Sequence, residues 1–333
     1  MKNNDSLIQK DAGASMLVVE GLTKYFSIQQ GILRSRNKRL VHAVENVSFS
    51  INKCETLGLV GESGCGKTTI GKLILIIERP TSGNIFFKGS NVEKLKGRPL
   101  KNYRRAVQAV FQDPYSSLNP RMKIQDILRE PLTVHNVSKD ESVSRVRSML
   151  AEVGLQENMA DRFPHEFSGG QRQRIAVARA LALYPELIVL DEPVSALDVS
   201  LRSQIMNLLK ELQTKHGHSY LLIAHSMAVI RYMSTKVAVM YLGQIVEYAN
   251  KSQIFRSALH PYTKALFSAA LPVRLDTVDD EEILEGEVPD PADPPSGCRF
   301  HTRCPTAREI CRIQMPQLQE IEPGHYVACH LHQ

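Results

Sequence analysis

Nine residues constrain this chain more than any others: Gly61, Glu62, Ser63, Gly64, Cys65, Gly66, Lys67, Thr68 and Thr69. They follow a short apolar run, Leu57 to Val60, and lead into a segment with helix-forming residues. Glycines at the first, fourth and sixth positions let successive backbone N–H groups turn inward around a phosphate, and the helix start adds a positive dipole end. Lys67 can reach the β- and γ-phosphates of a nucleotide, and Thr68 can ligate Mg²⁺. The strand before and the helix after are the context that a phosphate-binding loop requires.

Three further apolar runs read as buried parallel strands with chemical residues at their ends: Val107 to Phe111, Leu187 to Leu190 and Leu221 to Ala224. The second ends in Asp191 and Glu192. Asp191 is placed to hold Mg²⁺ and Glu192 to orient or deprotonate an attacking water. Met16 to Glu20, Val44 to Ile51 and Val237 to Met240 read as further strands, the second half-buried from its alternation. Residues 1–15 read as a frayed tail. Ser27 to Val41, with Arg34, Arg36, Lys38 and Arg39, reads as an exposed basic loop or hairpin. Ile124 to Phe163 lacks any strand pattern and reads as an inserted helical segment. Pro261 to Ala270 reads as a helix with Pro at its start.

Phe167-Ser168-Gly169-Gly170-Gln171 stands just before a helix with Ile175, Ala178, Leu181 and Ala182 on one face. Ser168 is a suitable N-cap, and the glycines expose the free N–H groups of the first turn. This is a second anion site, with no strand before it. Here the chain resembles the ABC ATPase family, whose signature is LSGGQ. The resemblance implies an α/β fold, the P-loop NTPase ABC-type nucleotide-binding domain, with an inserted helical subdomain and a small Cys-rich C-terminal extension. It implies ATP hydrolysis with Mg²⁺, each nucleotide sandwiched between the P-loop of one subunit and the signature of another.

The same resemblance assigns further roles. Gln112 looks like the Q-loop residue that couples Mg²⁺ and the attacking water to the transporter. Asp198, in Ser195-Ala-Leu-Asp198, looks like the D-loop at the dimer seam, and His225 like the switch histidine at the γ-phosphate. Phe26 aligns with the aromatic that stacks on adenine, with Tyr25 as a substitute. Three departures stand out: Phe167 replaces the signature Leu, Ser226 follows the switch His where Asp is usual, and Leu73 to Glu78 differs from the usual wording. None removes a catalytic group. Ser117-Leu-Asn-Pro-Arg121, His260-Pro-Tyr-Thr263 and Pro294-Pro-Ser-Gly-Cys298 are similar to the oligopeptide and dipeptide importer branch. That branch implies a paralogous ATPase partner in a heterodimer, two transmembrane permease subunits and an extracytoplasmic substrate-binding protein. Its place is peripheral, on the cytoplasmic face of the membrane.

From Asp276 the composition changes. An acidic run, Asp279 to Glu282, is followed by Pro289, Pro291, Pro294 and Pro295, a stiff extended linker. The expected organisation is an ATPase domain over 16–270, with the helical subdomain at about 115–170, a linker over 271–297 and a four-cysteine region over 298–333. Cys298, Cys304, Cys311 and Cys329 crowd this end. In a reducing compartment such a cluster suits a [4Fe–4S] cluster or Zn²⁺ better than disulfides. The spacing is wide for a zinc knuckle, and the resemblance favours iron. His301, His325 and His330 could replace a ligand in a zinc site; unpaired thiols and a redox disulfide are the alternatives. A structural staple for a tail lacking its own core is the simplest role.

No run approaches the ~20 apolar residues of a membrane-spanning helix, and Met1 to Asp11 is too polar for a secretory signal. The chain is expected to stay in the cytoplasm, with other chains doing the spanning. The net charge of +6 on 333 residues decides little. A soluble ABC ATPase acting on nucleic acid would carry two ATPase units or a long coiled coil, so no nucleic-acid partner is expected. A metal or redox regulator would not need every ATPase motif. An importer motor for di- or oligopeptides fits best, with another small solute such as a nickel chelate as the alternative cargo.

Overall fold

A computed structural model describes residues 15–29, 38–113, 117–269 and 286–333, in two compact units. One unit holds the described residues up to Asn52, then Thr56–Glu93 and everything from Ile223 onward. The other holds Lys53–Glu55 and Lys94–Leu222. The C-terminal region therefore belongs to the same unit as the P-loop.

The first unit begins with two long antiparallel strands, β1 (Ser15–Gln29) and β2 (Lys38–Asn52). The strand expected over Met16 to Glu20 thus runs nine residues further. Ser27 to Gln29 and Lys38 to Val41, read as a basic loop or hairpin, are paired strand on both sides of residues 30–37, which fits the hairpin; residues 30–37 lie outside the described residues, as do residues 1–14. Arg39 pairs with Asp290 at 3.6 Å, so part of the basic charge is matched from the Pro-rich segment. The segment Val44 to Ile51 is open to solvent only at Glu45 and Asn46; from Val47 on, Ser48 and Ser50 are as enclosed as Val47, Phe49 and Ile51. Ser48 Oγ meets that burial by accepting a hydrogen bond from Gly21 N–H at 2.9 Å. On its other edge β1 pairs with β4 (Ser82–Phe87), which pairs with the short β5 (Ser90–Asn91).

The same unit contains β3 (Thr56–Val60), whose residues are all buried. Burial of Leu57, Leu59 and Val60 contributes about 1.5–3 kcal/mol each. It runs parallel to β9 (Lys236–Tyr241). β10 (Gln244–Asn250), β12 (His325–Val327) and β11 (Gln319–Glu322) extend the sheet in antiparallel fashion, in the order β11-β12-β10-β9-β3. Helix α1 (Lys67–Ile74) follows the P-loop.

In the second unit, α2 (Gly97–Ala106) leads into β6 (Val107–Val110), parallel to β7 (Leu187–Asp191), with β8 (Ser219–Ile223) beyond. Between β6 and β7 lie α3 (Ile124–Val134), α4 (Lys139–Glu152) and α5 (Gly169–Leu181); α6 (Val199–His216) precedes β8. α3 buries Ile124, Ile127, Leu128 and Leu132, the spacing of one helical face. Buried Arg145 of α4 caps the end of α5, donating to the carbonyls of Leu181 and Ala182, and pairs with Glu152 at 3.2 Å. Residues 114–116 lie outside the described residues.

Back in the first unit, α7 (Met227–Met233) and α8 (Lys251–Arg256) precede α9 (Pro261–Ser268), the expected helix with Pro at N1; Ala270 lies outside the described residues. α10 (Glu309–Ile313) is the last helix. The C-terminal region builds no core of its own but packs into that of the first unit. Phe300 is fully buried against the rings of Tyr241, Tyr262 and His260, and Tyr326 and Val327 are buried on β12. Glu247 on β10, wholly buried, accepts from the N–H groups of Leu259 and His260 and bonds His325 Nε2 at 2.7 Å. Burial alone would push the Glu247 carboxyl up; the bond from His325 and those from the two N–H groups outweigh it and hold the group low. Of the linker, residues 270–285 lie outside the described residues, and Pro291 O accepts from His42 N–H at 3.0 Å. Among the described residues no helix is long and apolar enough to cross a membrane.

Candidate nucleotide site

The P-loop turns directly out of β3. Gly61, Gly64 and Gly66 all take positive φ, and Gly66 is the N-cap of α1. A Cβ on Gly66 would lie 2.1 Å from Ala43 O, so only glycine lets the loop pass β2 this closely. Having no side chain, Gly66 cannot cap α1 itself, which suits a helix start whose N–H groups serve a phosphate. Lys67 is 6% exposed, and its Nζ donates to Gly61 O and Glu62 O at 2.8 Å each. Its ammonium is thereby held inside the loop's curve. Cys65 is buried 3.5 Å from that ammonium, and burial pushes its thiol up despite the nearby charge. Ser63 and Thr68 are exposed, Thr69 half-exposed.

Glu62 is held on every polar group. Its N–H donates to Tyr262 Oη at 2.9 Å, its carbonyl accepts from Lys67, and its carboxylate takes both arms of Arg303 at 2.8 and 3.1 Å. Neither Tyr262 nor Arg303 is marked by any local pattern. Tyr262 sits in a motif read only as a branch marker, and Arg303 comes 241 residues after its partner.

The two aromatic candidates of β1 separate. Tyr25 packs on His42, ring centroids 4.4 Å apart, beside Glu45. Burial and then the Glu45 charge push its phenol up. Glu45 also bonds His42 Nδ1 at 3.0 Å and the guanidinium of Arg299. Phe26 has no such engagement; Lys24 Nζ lies over its ring, 4.7 Å from the centroid. His225 is exposed just after β8. Ala224 N–H before it donates to Leu59 O of β3 at 3.2 Å, which ties the residue next to His225 to the strand that delivers the P-loop.

In the second unit, all of β7 is buried and Asp191 closes it. Glu192 follows at φ 49°, a left-handed backbone that non-glycine residues rarely take, and its carbonyl accepts from Ser195 N and Oγ. Ser168 caps α5: its Oγ accepts from Gln171 N–H at 3.3 Å while Gln171 Oε1 accepts from Ser168 N–H at 3.0 Å. A Cβ on Gly170 would lie 3.0 Å from Leu201 of α6, whereas Gly169 has room. Asp198 caps α6 by accepting from Leu201 N–H at 2.9 Å. Gln112 is exposed, beyond the end of β6.

The four C-terminal cysteines are free thiols. Among the described residues no group of three or more His, Cys, Asp or Glu is arranged to hold a metal, so the expected site is not assembled. Cys304 Sγ lies 3.4 Å from Thr306 Oγ1, and Cys311 Sγ accepts from Arg308 N–H at 3.4 Å. Burial pushes the Cys298 thiol up to about 11 against a backbone bond from Phe300, with Cys311, Cys329 and Cys304 adding to the rise. The histidines are engaged elsewhere: His301 with Cys298 O, His325 with Glu247 and His330 with Gln314 O.

Residues 44–195 match the ABC transporter family, and 246–311 match the oligopeptide/dipeptide transporter C-terminal region. The chain is 49% identical over 323 residues to the oligopeptide transport ATP-binding protein AppF of Bacillus subtilis (strain 168), covering 96% of this chain and 98% of that one. It is 46% identical to a putative peptide import ATP-binding protein of Brucella ovis, covering 94% and 97%. Among solved structures it is similar to the ATP-binding cassette MJ0796 bound to ADP and Pi, with TM-score 0.62, 28% identity and coverage of 71% and 99%. It is similar also to cbiO1 from Clostridium perfringens, part of the transporter complex cbiONQ, with TM-score 0.62, 27% identity and coverage of 73% and 92%. The chain therefore belongs to the ATP-hydrolysing subunits of ABC transporters, in the branch that carries the oligopeptide/dipeptide C-terminal region.

Proposed function

We infer that this protein is the ATP-hydrolysing motor of an importer for di- or oligopeptides, acting peripherally on the cytoplasmic face of a membrane. The observation that carries the ATP reading is the P-loop: a glycine N-cap on which an added Cβ would lie only 2.1 Å from Ala43 O, and a lysine ammonium held at its centre. The peptide reading rests on relatives named for oligopeptide transport and peptide import over nearly the whole chain.

In this reading the loop N–H groups of residues 61–69 and Lys67 bind the phosphates, and Phe26 stacks on the adenine. Thr68, Asp191 and Gln112 are the residues that would hold Mg²⁺, which supplies charge neutralisation on the β- and γ-phosphates. Glu192 takes the proton of the attacking water, and His225 donates toward the γ-phosphate. Ser168, Gly169, Gly170 and Gln171 offer an anion-binding helix start to a nucleotide held by a partner subunit, with Asp198 at the seam. A paralogous ATPase is the proposed partner, with two permeases and an extracytoplasmic binding protein. Residues 16–270 form the catalytic domain, about 115–170 the permease-facing helical subdomain, and 298–333 a Cys-rich extension.

We also propose that Cys298, Cys304, Cys311 and Cys329 hold a [4Fe–4S] cluster, with Zn²⁺ as the alternative. Four cysteines fall within residues 298–329, and none of them forms a disulfide. Anaerobic purification followed by iron, sulfide and zinc analysis decides between them; metal-free protein in which all six cysteines titrate as free thiols refutes both. The ATP reading is tested by equilibrium binding and hydrolysis with Lys67→Ala as the control. Mg-ATP hydrolysis by the wild type that the variant lacks is the expected result; equal hydrolysis by both overturns the site assignment.

A further inference from the structure

Three polar groups of Glu62 are committed in three directions: to Arg303, to Tyr262 and to Lys67. Lys67 is the phosphate-reaching residue, and Arg303 belongs to the C-terminal region, directly before Cys304. The Arg303 side chain is 5% exposed and that of Glu62 is 27% exposed, so the fork is the enclosed partner and the carboxylate the one nearer solvent. Bidentate guanidinium–carboxylate pairing fixes orientation as well as distance. Tyr262 is itself placed by α9, whose N-cap His260 accepts from Tyr262 N–H at 3.0 Å.

We propose that Arg303 is a positioning residue of the nucleotide site, through which the C-terminal region sets the shape and charge of the P-loop. The proposal rests on the ATP reading above. Arg303 acts in two ways. Its fork fixes the Glu62 peptide, and with it the carbonyl that holds the Lys67 ammonium. Its charge neutralises a carboxylate that would otherwise face the polyphosphate from within the loop. Without Arg303, an unpaired negative charge would stand beside the most highly charged part of the nucleotide, so ATP suffers more than ADP.

The test uses the full-length protein and measures ATP and ADP dissociation constants together with the thermal midpoint. Arg303→Gln is expected to weaken ATP binding about tenfold, the lower range for a partly exposed charge-assisted bond, and ADP binding less. The double variant Glu62→Gln with Arg303→Gln removes the unpaired charge and is expected to recover most of the ATP affinity. A purely structural role would weaken both nucleotides equally and would not be rescued, and that result overturns the proposal, as does unchanged ATP affinity in Arg303→Gln. Should Arg303→Gln not fold, Arg303→Lys keeps the charge but not the fork. It is expected to bind both nucleotides more weakly with the ATP-to-ADP preference retained; wild-type affinities would overturn the proposal. A wild-type protein that binds no ATP would overturn the ATP reading itself, whereas ATP binding that ignores Arg303 overturns only this inference.

Discussion

Replacing Gly66 with alanine tests whether the P-loop's shape is set by its approach to β2. The new Cβ would stand 2.1 Å from Ala43 O, where real Cβ contacts stay beyond 3.0 Å, so two backbone segments must part by roughly 0.9 Å. The residue also sits at φ 105°, which costs an L-residue about 1–2 kcal/mol. Displacing packed backbone adds about 1–3 kcal/mol, for a total of about 2–5 kcal/mol. That is a large share of a typical stability of about 5–15 kcal/mol. Gly64 is the internal control. Its φ is 80°, but an added Cβ would meet nothing within 4 Å, so Gly64→Ala carries the backbone strain alone. Urea unfolding of both variants, with equal m-values required, should find Gly66→Ala less stable by about 1–3 kcal/mol. Equal destabilisation at the two positions would refute the reasoning, because the close approach would then contribute nothing.

Two further outcomes follow from groups placed around the P-loop. Burial lowers the pKa of His260 to about 4, against the pull of Glu247, so the folded state keeps it neutral while the unfolded chain takes up a proton below about 6.5. Stability should therefore fall by about 3 kcal/mol between pH 6.5 and 4, and His260→Asn, which keeps an N-cap acceptor, should flatten that slope; an unchanged slope contradicts the assignment. Phe26→Ala should weaken ATP binding by about 1–3 kcal/mol, the usual worth of aromatic stacking on a base, while Tyr25→Ala should mainly lower the thermal midpoint through lost packing on His42; the reverse pattern in nucleotide titrations would exchange their roles.

The P-loop, the strand ending in Asp191 and the cap at Ser168 were legible because each is local: a short buried run, then chemistry at its end, all within about ten residues. The segment Ser27 to Val41 left hairpin and loop open because basic residues suit either; the antiparallel pairing of Ser27 with Leu40 and Ile28 with Arg39 decides for the hairpin, and Arg39 stays partly exposed beside Asp290. β10 gave no strand signal because a carboxylate, Glu247, interrupts it, and the histidine that satisfies that carboxylate lies 78 residues away. The clamp of Arg303 on Glu62 was invisible for the same reason. The cysteines pointed to a metal by their spacing, but spacing does not set how the sulfurs are directed, and among the described residues no group of three or more is arranged to hold one.

The central claim is that this chain drives membrane permeases with ATP. Its most direct test is purification of tagged Glu192→Gln from native membranes with and without Mg-ATP, since loss of that carboxylate should preserve nucleotide binding and block hydrolysis. The account predicts recovery of two polytopic permeases and a second ATPase, enriched by Mg-ATP. Recovery of the chain alone, or with ribosomes or nucleic acid and no permease under either condition, would contradict it.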